Sequence, residues 1–270
     1  MNAYWYSGRW VDEKSVSKVD RPLDNIGLRF GATVFTTMRV YENELSHPLT
    51  QWRRHCDRLQ RSLADFGWMQ PDWEAVRAGC EQVIADSPIV RITIFPDGCE
   101  WITGRALPID LLEQQQRGIS AWVAPITYRR SLPTHKTGNY LACWLAKSRA
   151  KMAGAAEAVL ASEQSAWLET STGNLWGWKD GHWWTPKTEQ CLPGLMREWL
   201  IDRLQSAGEP VDFRPWDAQI VLDFEAIAYS NCVVQLLPIH TILNEQTKLN
   251  YDAQHASIRA LRRQIVEADC

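Results

Sequence analysis

The chain has little of what several large functional classes need. Its 29 basic and 32 acidic residues leave a formal charge of only -3 over 270 residues, so nothing electrostatic recommends nucleic acid or an anionic membrane as a partner. No run approaches the ~18 apolar residues of a membrane span, and Met1 to Arg9 lack the apolar stretch of a secretory signal. The seven cysteines are scattered, odd in number and without a CxxC pair. That pattern argues against a disulfide framework or a zinc site and for reduced thiols in a cytoplasmic protein. Neither a GxGxxG nor a P-loop sequence is present, which argues against a Rossmann dinucleotide site. No internal repeat is visible, and only Gln114 to Gln116 is compositionally biased.

What is there reads as an ordinary globular protein, 45% hydrophobic and 23% charged. Its length suits one large domain or two smaller ones. The fifteen tryptophans are spread along the chain, as suits core and interface residues. Tyr4 to Val11 reads as a hairpin around Ser7-Gly8, 15–28 as a loop, and Phe30 to Val40 as a buried strand with a β-branched end. Leu49 to Phe66 is an amphipathic helix with Trp52, Leu59, Leu63 and Phe66 along its seam, His55, Arg58 and Ser62 beside it. Trp73 to Ala85 is a second helix, Ile89 to Phe95 a strand, and Pro96-Asp97-Gly98 a turn. Ile102 to Gly118 reads as a boundary, giving a smaller N-terminal α/β domain over 1–117 and a larger C-terminal domain over 118–270. The second domain opens on a strand, Ile119 to Pro125. Its short strands fall at Ala158 to Ala161, Trp167-Leu168, Leu175 to Trp178, His182 to Thr185, Val211 to Phe213, Ala226 to Ser230 and Leu236 to Thr241. Helices follow at Leu195 to Ala207 and Asp252 to Glu267. The class is α+β with mixed strands.

Within this frame Lys136 stands apart. It sits in His135-Lys136-Thr137-Gly138-Asn139-Tyr140, behind Pro133 and ahead of a helix. The apolar face of that helix is expected to carry Tyr140, Leu141, Trp144, Leu145, Ser148 and Met152, with Lys147, Arg149 and Lys151 in water. A lysine held in such a turn can serve as an amine nucleophile, although most lysines are simply solvated. Downstream come Glu169-x-x-x-x-Asn174, Thr185-Pro186 and Leu192-Pro193-Gly194-x-x-Arg197.

A lysine followed by these three motifs, in this order and spacing, resembles the fold-type IV pyridoxal-phosphate enzymes. That family holds the branched-chain and D-amino-acid aminotransferases and 4-amino-4-deoxychorismate lyase. The resemblance runs from about Gly8 to Pro238. It implies a two-domain fold with a barrel-like, mixed-strand second domain, pyridoxal phosphate as cofactor, and a homodimer. Lys136 is then the amine that carries the cofactor, and Glu169 the acid at its pyridine nitrogen, with Asn174 as motif partner. A helix N-terminus opened by Pro193-Gly194 is a ready anion site, so Leu195 and Met196 are matched to the phosphate. Arg58, in His55-x-x-Arg58-Leu59, is matched to the phosphate's counter-charge. Asn231 and Cys232 are matched to a phosphate-side loop, and Tyr140 to the cofactor's phenolic oxygen.

Phe35-Thr36-Thr37-Met38-Arg39-Val40, Leu195-Met196-Arg197 and Ser230-Asn231 resemble the lyase version of their segments. This implies release of 4-aminobenzoate and pyruvate for folate synthesis, with Thr36 or Thr37 assisting Lys136. Gly138-Asn139-Tyr140-Leu141 is as typical of aminotransferases, which stand as the alternative. Pro96-Asp97-Gly98 departs from the Arg-Gly expected after that strand in many lyases and leaves the substrate carboxylate without an assigned partner. An inactive cofactor-binding protein or a tryptophan-rich interaction module is the reading outside catalysis.

Overall fold

The computed structural model of the protein describes residues 4–11, 25–186, 188–244 and 247–267. Its contacts divide the chain into two units, 1–108 with 135–139 and 109–134 with 140–270. The sequence placed the division at 117/118. The helix α4 (Leu111–Arg117) goes instead with the second unit, because buried Gln115 donates to Val234 O at 3.0 Å and buried Leu111 belongs to the same helix.

The first unit is built on β1 (Tyr4–Tyr6), β2 (Arg9–Val11), α1 (Ile26–Phe30), β3 (Val34–Arg39), α2 (Trp52–Asp65), α3 (Trp73–Ile84), β4 (Ile89–Ile94) and β5 (Glu100–Arg105). Its sheet runs β2-β1-β5-β4-β3, antiparallel throughout. Met38, Ile92 and Ile102 from the strands meet Leu59 and Leu63 of α2 and Val76, Cys80 and Val83 of α3 in one core. Asp72 caps α3 by accepting from the Glu74 and Ala75 N–H groups. Two elements were not expected. Residues 15–24 of the expected loop lie outside those described, but 26–28 belong to α1. β5 falls partly in the supposed boundary, and buried Glu100 at its start accepts from Trp5 Nε1 at 3.0 Å and Gly8 N–H at 2.6 Å.

The second unit continues from α4 with β6 (Ile119–Val123), α5 (Leu141–Met152), β7 (Glu157–Ala161), β8 (Trp167–Thr170), β9 (Asn174–Lys179) and β10 (His182–Trp184). Then come α6 (Leu195–Ser206), β11 (Val211–Asp212), α7 (Ile220–Asp223), β12 (Ala226–Asn231), β13 (Gln235–Asn244), β14 (Thr247–Asn250) and α8 (Ala256–Val266). The strand order is β11-β10-β9-β12-β13-β6-β7-β8, with β14 on β13. Pairing is parallel at β6–β13, β6–β7 and β10–β11 and antiparallel elsewhere. Trp167 on the edge strand β8 donates its N–H to Trp216 O at 2.8 Å, just past β11 at the other edge. That bridge brings the segment after β11 against β8 and curls the sheet in the barrel-like manner expected.

The expected face of α5 is corrected. The helix buries Cys143, Ala146 and Ala150 against Ala124, Ala158 and Leu160, because small residues let it lie close on the sheet. Leu141, Trp144, Leu145 and Met152 are exposed. Lys147, expected in water, pairs with fully buried Glu157 at 3.1 Å. Among the described residues no helix is long and apolar enough to cross a membrane, and no disulfide joins the six described cysteines.

Candidate active site

In the first unit the alternation of β3 sorts the two threonines onto opposite faces. Thr36 is fully buried toward α2, where its Oγ1 accepts from Arg58 Nη2 and meets His55 Nδ1, each at 2.5 Å. His55 is held neutral: burial, then the charges of Arg58 and Lys136, push its pKa well below the ordinary 6.5. Among the described residues its Nε2 has no hydrogen-bond partner. Thr37 is paired across the ladder with Arg91, and Phe35 with Thr93, so these four share the other face.

The Lys136 turn joins that sheet. Phe35 N–H donates to Lys136 O at 2.8 Å, Gly138 N–H donates to Thr33 O at 2.7 Å, and Thr137 bridges Val34. A Cβ on Gly138 would overlap Thr33 Oγ1, so only glycine closes the turn this tightly. His135 Nδ1 contacts Ser62 Oγ at 3.0 Å and its ring lies 4.6 Å from Phe66. Lys136 Nζ stands 4.7 Å from the Phe35 ring centroid, and the Arg91 guanidinium 3.6 Å from the same ring. An amine and a guanidinium thus both lie against one aromatic ring.

In the second unit the three downstream motifs interlock. Glu169 Oε2 accepts the Leu192 N–H at 3.1 Å, and Asn174 Nδ2 donates to Leu192 O at 2.8 Å. Both backbone groups of one residue are therefore held by the two ends of the Glu-x-x-x-x-Asn motif. Gly194, two residues on, has no room for a side chain, since a Cβ would overlap Asn174 Oδ1. Arg197 is buried, and its Nε donates to Thr185 Oγ1 at 2.9 Å and its Nη2 to Pro186 O at 2.8 Å. The start of α6 is thereby fixed on both sides. Among the described residues no side chain caps its first turn, while Leu195 and Met196 are buried. Polar N–H groups in that position suit an anion.

Tyr140 precedes α5, and its hydroxyl donates to Ser171 O. Burial, its largest influence, pushes its pKa above the ordinary range. Asn231 Oδ1 accepts from the Val233 and Val234 N–H groups at 2.9 and 3.0 Å, and its Nδ2 donates to Thr172 O at 3.2 Å. Cys232, next along, is half-buried.

Two residues escaped the sequence reading. Glu157 is fully buried, taking Ala158 N–H at 2.9 Å, Thr172 Oγ1 at 2.6 Å, Ser171 Oγ and Lys147 Nζ. A lone acid inside the apolar run 155–161 was its signal. Arg130 lies 3.4 Å from Glu169 Oε1, and no pattern around it distinguishes it from Arg129. Both Arg130 and Glu169 line a cavity of about 570 Å³ together with Ile126, Leu132 and Leu168.

Residues 33–242 match the family model described as amino-transferase class IV. The chain belongs to that family. It is 26% identical to aminodeoxychorismate lyase of Vibrio harveyi over 262 residues, covering 90% of this chain and 94% of that one. It is also 24% identical to the branched-chain-amino-acid aminotransferase of Escherichia coli K12 over 270 residues, covering 88% and 84%. Among solved structures, the Escherichia coli branched-chain aminotransferase superposes with a TM-score of 0.82 at 21% identity, covering 98% of this chain and 93% of that one. A pyridoxal-phosphate-bound hypothetical aminotransferase from Mycobacterium tuberculosis gives 0.79 at 16%, covering 99% and 98%. These likenesses establish the fold shared by class IV members.

Proposed function

We propose that this class IV protein is a pyridoxal-phosphate-dependent 4-amino-4-deoxychorismate lyase, releasing 4-aminobenzoate and pyruvate. The residues present fit the cofactor by their own chemistry. The first turn of α6 offers N–H donors that, among the described residues, no side chain caps, beside a glycine that lets Asn174 close on the turn. Arg58 is a buried cation of the sign a phosphate needs, and Glu169 a buried carboxylate of the sign a ring N–H needs. When bound, pyridoxal phosphate supplies an aldehyde that condenses with amines and a pyridinium ring that draws electrons from the attached carbon.

Lys136 would hold the cofactor through its aldehyde and, when free, would be the base that takes the proton from the substrate's amine-bearing carbon. Loss of that proton with cleavage of the ether bond would release enolpyruvate and leave the substrate ring aromatic. Lys136 would return the proton to the departing enolpyruvate carbon, giving pyruvate. Thr37 shares the Phe35 face and is suited to orient the leaving group. Thr36 serves the reaction through Arg58. Tyr140, by its match to the family motif, attends the phenolic oxygen, and Asn174, Asn231 and Cys232 keep the phosphate-side segments in place.

The observation that carries this reading is that Lys136 and Arg91 both lie against the Phe35 ring. An arginine there gives the substrate a carboxylate partner although the following turn, Pro96-Asp97-Gly98, offers none. The full-length likeness to the Vibrio harveyi lyase supports it. An aminotransferase is the second reading, favoured by the branched-chain relatives. Purified protein should be yellow, with borohydride fixing the cofactor to Lys136. Aminodeoxychorismate should yield 4-aminobenzoate and pyruvate without an added keto acid. If leucine, valine or D-alanine instead convert the cofactor rapidly to pyridoxamine phosphate and aminodeoxychorismate gives no product, the aminotransferase reading replaces the lyase.

The homodimer belongs to the same proposal. The exposed Leu141, Trp144, Leu145 and Met152 on α5 form an apolar face suited to a second copy of the chain.

A further inference from the structure

Glu169 is anchored at both oxygens. Oε2 takes the Leu192 N–H, and Oε1 lies 3.4 Å from Arg130 Nη1. Arg130 is itself tethered, its Nη2 reaching Leu132 O at 3.5 Å. The two side chains are only 10% and 5% exposed. A carboxylate this far from water keeps its charge only beside a compensating one, and an unpaired buried acid becomes neutral instead. A neutral acid could not hold a proton on a pyridine nitrogen. The contact at Oε1 is long for a charge-assisted hydrogen bond, so Arg130 acts on that oxygen mainly through its charge. Its charge also reaches Tyr140 and Cys191, which places it among the groups around Glu169.

We propose that Arg130 is a positioning residue that keeps Glu169 ionised and aimed, and so sets how firmly the cofactor's ring nitrogen stays protonated. This deepens the pyridoxal-phosphate reading and rests on it. Two effects of the guanidinium oppose each other. Directly, its positive charge repels a ring proton. Indirectly, it maintains the carboxylate that attracts one. Glu169 contacts Arg130 directly, so the second effect wins, and removing the cation should make the ring nitrogen less basic.

The experiment uses the holoenzyme loaded with pyridoxal phosphate labelled with nitrogen-15 in the ring, whose nuclear resonance reports protonation independently of turnover. Arg130→Gln removes the charge and keeps hydrogen-bond donors, and Arg130→Lys keeps the charge and loses the planar fork. In Arg130→Gln the ring-nitrogen midpoint should fall by about one pH unit or more, the usual influence of one nearby charge. Arg130→Lys should recover at least half of that shift. An unchanged or raised midpoint in Arg130→Gln overturns the proposal, as does a lysine variant that behaves like the glutamine one. A merely structural ion pair would lower the melting temperature and leave the midpoint in place. Should the glutamine variant not hold its fold, Arg130→Met takes its place, a midpoint lowered by about one pH unit or more supporting the proposal and an unchanged one overturning it. A wild type that binds no cofactor overturns the functional reading together with this one. A loaded wild type with an indifferent Arg130→Gln overturns only the role of Arg130.

Discussion

Leu192 N–H and Glu169 Oε2 are joined at 3.1 Å, which ties the acid expected at the ring nitrogen to the segment that starts α6. Replacing Glu169 by Gln keeps an acceptor for Leu192 and removes the charge. Turnover should fall about 100-fold or more, the scale of losing one fixed electrostatic partner. Arg130 would be left buried opposite a neutral amide, so the urea midpoint should fall as well. Steady-state kinetics and a denaturation curve on the same preparation check both. Unchanged turnover would move the role to another acid.

Gly194→Ala tests the cradle. The added methyl overlaps Asn174 Oδ1, and overpacking of this kind costs about 1–3 kcal/mol. Cofactor affinity should fall with stability, because the start of α6 must shift to make room. Combining it with Asn174→Ala removes the obstacle, so the double variant should be less damaged than the sum of the two. Additive losses would mean the overlap is relieved elsewhere.

His55 gives the protein a pH signature. It stays neutral in the fold, with a pKa far below the 6.5 of a free histidine, whereas the unfolded chain protonates it. As pH falls below 6.5 the unfolded state binds the extra proton, so stability is lost downward and regained upward. The slope from this one group approaches about 1.4 kcal/mol per pH unit. His55→Gln should flatten the curve of urea midpoint against pH below 6.5 relative to wild type. A parallel curve would mean that other groups govern acid sensitivity.

Trp144→Glu should dissociate the proposed dimer by placing a charge in the exposed α5 face. Light scattering should move from twice the chain mass to the chain mass, with the circular dichroism spectrum unchanged. A variant that remains dimeric would exclude this face as the contact.

The sequence reading reached most of the architecture because hydrophobic period and turn residues are local signals. The α2 seam through Leu59 and Leu63 and the hairpin at Ser7-Gly8 were visible for that reason. β5 is not legible because Pro108 and the glutamine run carry a stronger local signal, that of a boundary, than the short stretch Trp101-Ile102-Thr103. The α5 face was misassigned by size: a helix lying close on a sheet buries alanine and cysteine, and its large residues are left outside. The motif residues were visible as a pattern, but their mutual dependence was not. That Glu169 and Asn174 hold the two backbone groups of Leu192, or that Arg197 holds Thr185 and Pro186, depends on contacts between strands and loops. Arg130 and Glu157 act through burial, which no linear spacing records.

The visit of residues 135–139 to the first unit has a consequence for synthesis. The ribosome releases everything needed for the sheet of that unit by residue 105, but the strand-like partner of β3 that carries Lys136 emerges only after residues 109–134 of the other unit. Since domains fold largely in the order they emerge, a nascent chain stalled before His135 has the sheet of the first unit and lacks the lysine proposed to hold the cofactor. The proposed cofactor lysine is thus added late, after residues 109–134 of the second unit have been made. A single cut at 108/109 leaves the lysine on the wrong fragment, and one at 139/140 strips residues 109–134 from the second unit.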